Sequence, residues 1–284
     1  MSPDSIRPES LYVRCFGVGD PLLLIHGLGS TGDDWAFQLP ALAARYRLIV
    51  PDLPGAGRSI KPSGRYRIED FATALWSLLD ELGHARAHLV GFSLGGAVAL
   101  EMALQRPAST MRLVLINSLP SYRVDTLAKW LEVKLHVALV RLLGLERTAR
   151  LIARRLFPEP HRTAMRERVV SVLAANAVAP YLATARALAT WCTYDRLHQL
   201  RAPTLMLAAE RDYTPLAEKQ ALAVRLGATL AVIRGSRHGT PFDAIAATNT
   251  CLLAFLAGQP LPAAAELCID PPESTPMAPP PEPA

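Results

Sequence analysis

The chain has 284 residues, half of them hydrophobic, four cysteines and a net charge of +5. That length fits one large domain or a core with an insertion, and no apolar run nears the roughly 20 residues of a membrane span. Cys15, Cys192, Cys251 and Cys268 lie far apart, without a CxxC pair or metal-ligand spacing. They therefore read as reduced, scattered thiols. Residues Met1 to Glu9 hold no apolar h-region, so no secretion signal is expected and the reading is cytoplasmic.

The positive charge is local. Ser121 to Arg168 carries eleven basic and five acidic side chains, and the remainder is close to neutral. The basicity belongs to one segment, which gives a nucleic-acid-binding reading of the whole chain little support, and no nucleic-acid partner is expected.

In chain order, Leu11 to Phe16 alternates apolar and polar residues and reads as an edge strand. Leu22–Ile25 and Leu48–Val50 are apolar runs, with helical pattern near 34–44 between them and near 68–83 after them. His88–Val90 follows, then a helix near 95–106, then Leu113–Ile116. Thr204–Leu207, a helix near 215–226, Leu230–Ile233 and a helix near 241–257 complete the alternation. Runs this uniformly apolar suit strands covered on both faces, so the expected fold class is α/β, with a mostly parallel, doubly wound sheet.

The rhythm breaks once, between 118 and 200, where leucine- and arginine-rich helical pattern replaces strands. About 80 residues far exceeds a βα connection, so this is read as an inserted all-helical subdomain. The core is then 1–117 with 201–258. Residues 259–284 are proline-rich, with seven prolines from Asp270 onward. They are expected to stay disordered, so that a cut after Gly258 changes little, Cys268 and Ile269 being the residues most able to dock.

The chemistry concentrates at Gly91-Phe92-Ser93-Leu94-Gly95-Gly96, directly after an apolar strand and before a helical run. A G-x-S-x-G turn between strand and helix strains the serine backbone and holds its hydroxyl out at the carboxyl edge of the sheet. A nucleophilic serine needs a base, an acid to orient that base, and amides for the developing oxyanion. His238, in the polar loop after the last strand, is the candidate base. Asp212, just past the Thr204–Leu207 strand, is the candidate acid, with Glu210 and Asp195 as fallbacks. The backbone N–H groups of Leu28 and Leu94 are the candidate oxyanion donors, Gly27 and Gly29 letting the first loop approach closely. His26 is assigned to orienting that loop.

Together, His26-Gly27-Leu28-Gly29, Asp52-Leu53-Pro54-Gly55-Ala56-Gly57-Arg58-Ser59, the Gly91–Gly96 motif, Asp212 and His238 resemble an α/β-hydrolase with a helical cap. The resemblance implies a Ser, Asp, His triad and a structural turn at Asp52–Ser59, with no cofactor and no metal. It also implies acyl transfer, since relatives that open epoxides or remove halogens carry aspartate at the elbow. Arg237 departs from the small residue usual before the histidine, and is expected to face the cap or solvent.

The function expected is hydrolysis of carboxylic esters with apolar acyl or alkyl groups. Likeness to enol-lactone hydrolases and to pimeloyl-carrier-protein methyl ester esterases keeps lactones, thioesters, C–C bonds and carrier-bound esters in view. An arginine-rich cap could meet an acidic acyl carrier protein, or lie on a membrane surface. A binding protein that keeps the fold without catalysis is the most distant alternative.

Overall fold

The computed structural model describes residues 8–264 and 267–270. Each apolar run becomes a strand paired to its neighbours, and side chains alternate between two buried faces. The strands are β1 (Val13–Phe16), β2 (Asp20–Ile25), β3 (Tyr46–Pro51), β4 (Ala87–Phe92), β5 (Thr110–Ile116), β6 (Thr204–Ala209) and β7 (Thr229–Ile233). They form one sheet in the order β1-β3-β2-β4-β5-β6-β7. β1 is an antiparallel edge and the other pairings are parallel, as a doubly wound sheet requires.

Leu23, Ile25, Leu89, Leu113 and Leu115 point to one face, where α2 (Ile68–Glu81) and α3 (Leu94–Gln105) cover them. Leu22, Leu24, Val90, Val114, Ile116 and Leu205 point to the other, against α1 (Leu39–Ala43) and later helices. The helix expected over 34–44 is in fact a 3-10 turn, Gly32–Trp35, followed by the short α1. Pro40 lies in the first turn of α1, where it has no N–H to continue a helical ladder from the 3-10 turn, which separates the two pieces.

Between β5 and β6 stand α4 (Leu127–Leu156), α5 (Thr163–Ala174) and α6 (Val178–Thr190), with one isolated bridge, Ser121 to Cys192. α4 bends at Gly144, whose backbone is φ 76°, ψ 171°. The insertion has its own small core of Val140, Leu145, Ala149, Leu173, Tyr181 and Leu182. It is tied to the core at two points: the Asn176 amide donates to Gly29 O at 2.8 Å, and Arg196 pairs with buried Glu101 at 2.8 Å.

α7 (Leu216–Leu226) separates β6 from β7, and α8 (Thr240–Asp243) and α9 (Ile245–Leu256) follow. The helix expected over 241–257 is broken at Ala244, φ −140°. The expectation of disorder from 259 onward is corrected at 267–270, which dock on the core. Leu267 is buried in the core, its carbonyl accepts from Arg234 N at 2.9 Å, and the Asp270 carboxylate accepts from Ile245 N at 2.6 Å and Ala246 N at 3.2 Å. Docking is driven by one leucine and one cap, signals too sparse to stand out of a proline-rich stretch. Residues 271–284 lie outside the described residues. Among the described residues no single helix is long and apolar enough to cross a membrane.

Candidate active site

Ser93 sits between β4 and α3 with φ 55° and ψ −116°, a left-handed conformation costly for any residue with a Cβ. The glycines on either side make this turn possible. A Cβ on Gly91 would strike the Gly95 carbonyl, and one on Gly95 would strike the Ile25 carbonyl. Ser93 N donates to Ile116 O at 2.9 Å, which pins the turn to the end of β5.

The other candidates arrive at the same edge. His238 Nε2 lies 2.9 Å from Ser93 Oγ, and His238 Nδ1 lies 2.9 Å from Asp212 Oδ1. A carboxylate only accepts, so Nδ1 is the protonated nitrogen and Nε2 faces Ser93 with its lone pair. Glu210 instead accepts from Gly235 N at 2.8 Å, and Asp195 is on the surface before β6. The structure thus brings together Ser93, His238 and Asp212, and neither fallback carboxylate.

Leu28 and Leu94 line one cleft, roofed by Tyr181 and Thr184 of α6 and floored by His26, Leu53 and Ala56. Leu94 is the first residue of α3, so its amide precedes the helix's own bonding. His26 Nε2 accepts from Leu53 N at 2.9 Å, which leaves Nδ1 to donate to Gly27 O at 2.8 Å. Both ring nitrogens are occupied in fixing the loop, and neither faces Ser93. Asp52 is similarly engaged, accepting from Gly32 N and Arg58 N at 2.8 and 2.9 Å. Arg237 reaches the insertion, 3.5 Å from Glu159.

Three residues here were given no role from sequence. Lys219 of α7 is fully buried, as is the Asp212 carboxylate, and its ammonium lies 2.5 Å from Asp212 Oδ2. Burial alone would raise the Asp212 pKa, but the hydrogen bond and charge of His238 and the Lys219 ammonium outweigh it and hold the carboxyl well below the usual range. Burial also draws Lys219 down, against the pull of Asp212. A signal was available: Lys219 lies on the stripe of α7 that buries Leu222 and Ala223, where an unpaired lysine could not stay.

Asn117, at φ 47°, donates to His238 O at 2.8 Å and accepts from Ala209 N at 2.8 Å, joining the histidine loop to the end of β6. Tyr213 directs its hydroxyl to His238 Nε2 at 2.8 Å, its ring centroid 4.2 Å from the imidazole. No local pattern marks either residue, since both act through contacts made in three dimensions. Among the described residues no group of three or more His, Cys, Asp or Glu converges as metal ligands would.

The model of the alpha/beta hydrolase fold matches residues 20–223. The chain belongs to the α/β-hydrolase family. It is 33% identical over 209 residues, 71% of its length and 77% of the other's, to a protein of Azorhizobium caulinodans bearing a carbamate-hydrolase name, RutD. It is 39% identical over 114 residues to the pimeloyl-[acyl-carrier protein] methyl ester esterase of Aeromonas hydrophila, covering 40% of this chain and 43% of that one. Two other curated relatives are 45% identical over 100 and 101 residues, and there the match spans only 27% and 35% of the relative's length. A thermophilic esterase of Thermogutta terrifontis superposes with a TM-score of 0.73 at 28% identity, over 81% of this chain and 87% of that one.

Proposed function

We propose that the chain is a serine hydrolase that cleaves carboxylic esters of apolar acyl or alkyl groups through an acyl-Ser93 intermediate. The observation that carries this reading is the relay Asp212–His238–Ser93, two 2.9 Å contacts ending on a serine in strained backbone. Ser93 Oγ attacks the ester carbonyl as His238 Nε2 takes its proton, and Asp212 holds the resulting imidazolium in place. The Leu28 and Leu94 amides bind the oxyanion. The imidazolium then protonates the departing alkoxide, and a water activated by the same nitrogen releases the acid. The narrow cleft beside Leu28 and Leu94 is faced by Leu53, Ala56 and Tyr181, and an apolar group enters there as the helical insertion, acting as its cap, gives way. The test is a screen of aryl esters from two to twelve acyl carbons, with lactones alongside, on wild type and Ser93→Ala. Ser93-dependent turnover supports the reading, and a fluorophosphonate that labels a residue other than Ser93 removes it.

A second reading, a carrier-bound ester as substrate, is favoured by one surface. Arg150, Arg154 and Arg166 line a cleft between α4 and α5, and the Aeromonas relative bears the name of a carrier-protein esterase. Steering by this cleft makes the rate on a carrier-bound ester fall as salt rises, because exposed charges are screened beyond about 8 Å at physiological ionic strength. Arg150→Glu with Arg154→Glu should slow that substrate and leave a small neutral ester alone. Equal rates on the carrier substrate before and after reversal remove the second reading.

A further inference from the structure

We propose that Tyr213 is a catalytic residue of this site, donating a hydrogen bond to the leaving-group oxygen and so setting how poor a leaving group can be expelled. The inference rests on the acyl-Ser93 reading and deepens it. With Nδ1–H committed to Asp212, neutral His238 offers a single lone pair, at Nε2. Two hydroxyls converge on it, Ser93 Oγ at 2.9 Å and Tyr213 Oη at 2.8 Å. When Ser93 attacks, its proton moves to Nε2, and that nitrogen stops being an acceptor. The Tyr213 O–H then loses its resting partner. The leaving-group oxygen must come within hydrogen-bond reach of Nε2–H to receive the proton, which places it beside Tyr213 Oη.

Tyr213 is equipped for that exchange. Burial, with the negative charge of Asp212, keeps its phenol protonated far above neutral pH, so it presents a hydrogen throughout. Its ring stacks on His238 with planes 33° apart, and its backbone N donates to Asp212 Oδ1 at 2.8 Å. The oxygen is therefore positioned by the same two residues that position the base. Although the residue as a whole is 55% exposed, its hydroxyl is the part turned inward onto His238 Nε2. The step balances without a second acid. The C–O bond breaks with its electron pair on the leaving oxygen, the His238 proton goes to that oxygen, and Tyr213 keeps its own proton.

The experiment compares kcat/KM of wild type and Tyr213→Phe on two butyrate esters that share an acyl group, ethyl and p-nitrophenyl. Alkoxide needs the hydrogen bond and nitrophenolate does not. The loss on the ethyl ester should therefore exceed that on the nitrophenyl ester by roughly 10- to 100-fold, the worth of one hydrogen bond to developing charge. Phenylalanine keeps the ring on His238, and fluorophosphonate labelling of Ser93 checks that nucleophile and base are intact. Equal losses on the two esters would assign Tyr213 to holding His238 and overturn the proposal. A gain on both would overturn it too, by showing that the hydroxyl only competes with Ser93 for Nε2. A wild type with no Ser93-dependent turnover of either ester removes the hydrolase reading itself, and this proposal with it.

Discussion

The sheet edge that holds Ser93, His238 and Asp212 and the helical insertion above it are built on opposite terms. At the edge the side chains of the relay are mutually bonded: Lys219 and His238 share Asp212, and Asn117 joins the histidine loop to β6. In the insertion, α4 turns Leu127, Trp130, Leu131, Leu135 and Leu142 outward, each at least 47% exposed, and its ion pairs lie at the surface. The first region has a single low-energy arrangement, because any shift strands a buried polar group. The second has a small core of its own and is moored to the main cores through Phe157, Met165, Ala187 and Trp191. Precision is concentrated where the candidate chemistry is, and adaptability where a substrate would be admitted.

The sharpest way to break this contrast is at its rigid end. Ser93→Ala and His238→Ala should each lower ester turnover by roughly 10⁴-fold or more, and the double variant should be little worse than either, since the pair acts as a unit. Asp212→Asn should cost somewhat less but still several orders of magnitude, through the wrong imidazole tautomer. The measurement is kcat on an aryl ester. Additive losses, or near-normal turnover in Asp212→Asn, would show that the relay is geometry without function.

Lys219 tests whether that rigidity is electrostatic. Lys219→Met leaves the Asp212 carboxylate buried without its cation, though Thr214 Oγ1 still donates at 2.7 Å. Removing one partner of a buried pair costs about 3–5 kcal/mol, read by denaturant unfolding. Lys219→Met with Asp212→Asn should recover much of that loss, because no orphaned charge remains. A double variant no more stable than Lys219→Met would mean the lysine contributes by packing alone.

The contrast also explains what could be read from sequence. β2, β4 and β5 were legible because both of their faces are buried, which leaves uniformly apolar runs such as Leu22 to Ile25. Ser93 was legible because a strained turn demands glycine on either side, and His238 and Asp212 because they follow the ends of strands. Asn117 and Tyr213 were not, since each bonds to residues that adjoin it only in the folded chain. The bend of α4 was hidden for a different reason: Gly144 lies within otherwise continuous helical pattern, and nothing local says that it adopts φ 76°.

A third test lies where the two regions meet. Asp243 is buried under the histidine loop and accepts from Ser236 Oγ at 2.7 Å and Arg237 N at 3.1 Å. Burial pushes its pKa up to about 6. The folded state therefore holds this proton more tightly than the unfolded chain, whose carboxyl titrates near 4. The stability it contributes is complete below about pH 4 and is lost as pH rises through 6. Asp243→Asn keeps an acceptor for Arg237 N and should flatten that slope, gaining on the order of 2–3 kcal/mol at pH 7 relative to pH 4. An unchanged slope would locate the proton elsewhere.

The smallest expected effect belongs to Asp270, beside Asp243, whose carbonyl oxygen it bonds at 2.9 Å. Its carboxylate caps the first two amides of α9, and its own carbonyl accepts from Arg162 of the insertion at 3.3 Å. One side chain thus caps a core helix while its backbone meets the insertion through the longer contact to Arg162. Asp270→Ala removes the cap and keeps the carbonyl, so it should cost about 1 kcal/mol, a fall of roughly 2–4 °C in Tm for a chain of this size. Asp270→Asn, which retains an acceptor, should lose less. Ester turnover should not change in either, because α9 starts beyond the histidine loop and Asn117 holds that loop independently. If turnover falls in step with Tm, the seam transmits strain to His238, and the separation between a rigid edge and an adaptable insertion is not the one drawn from their contacts.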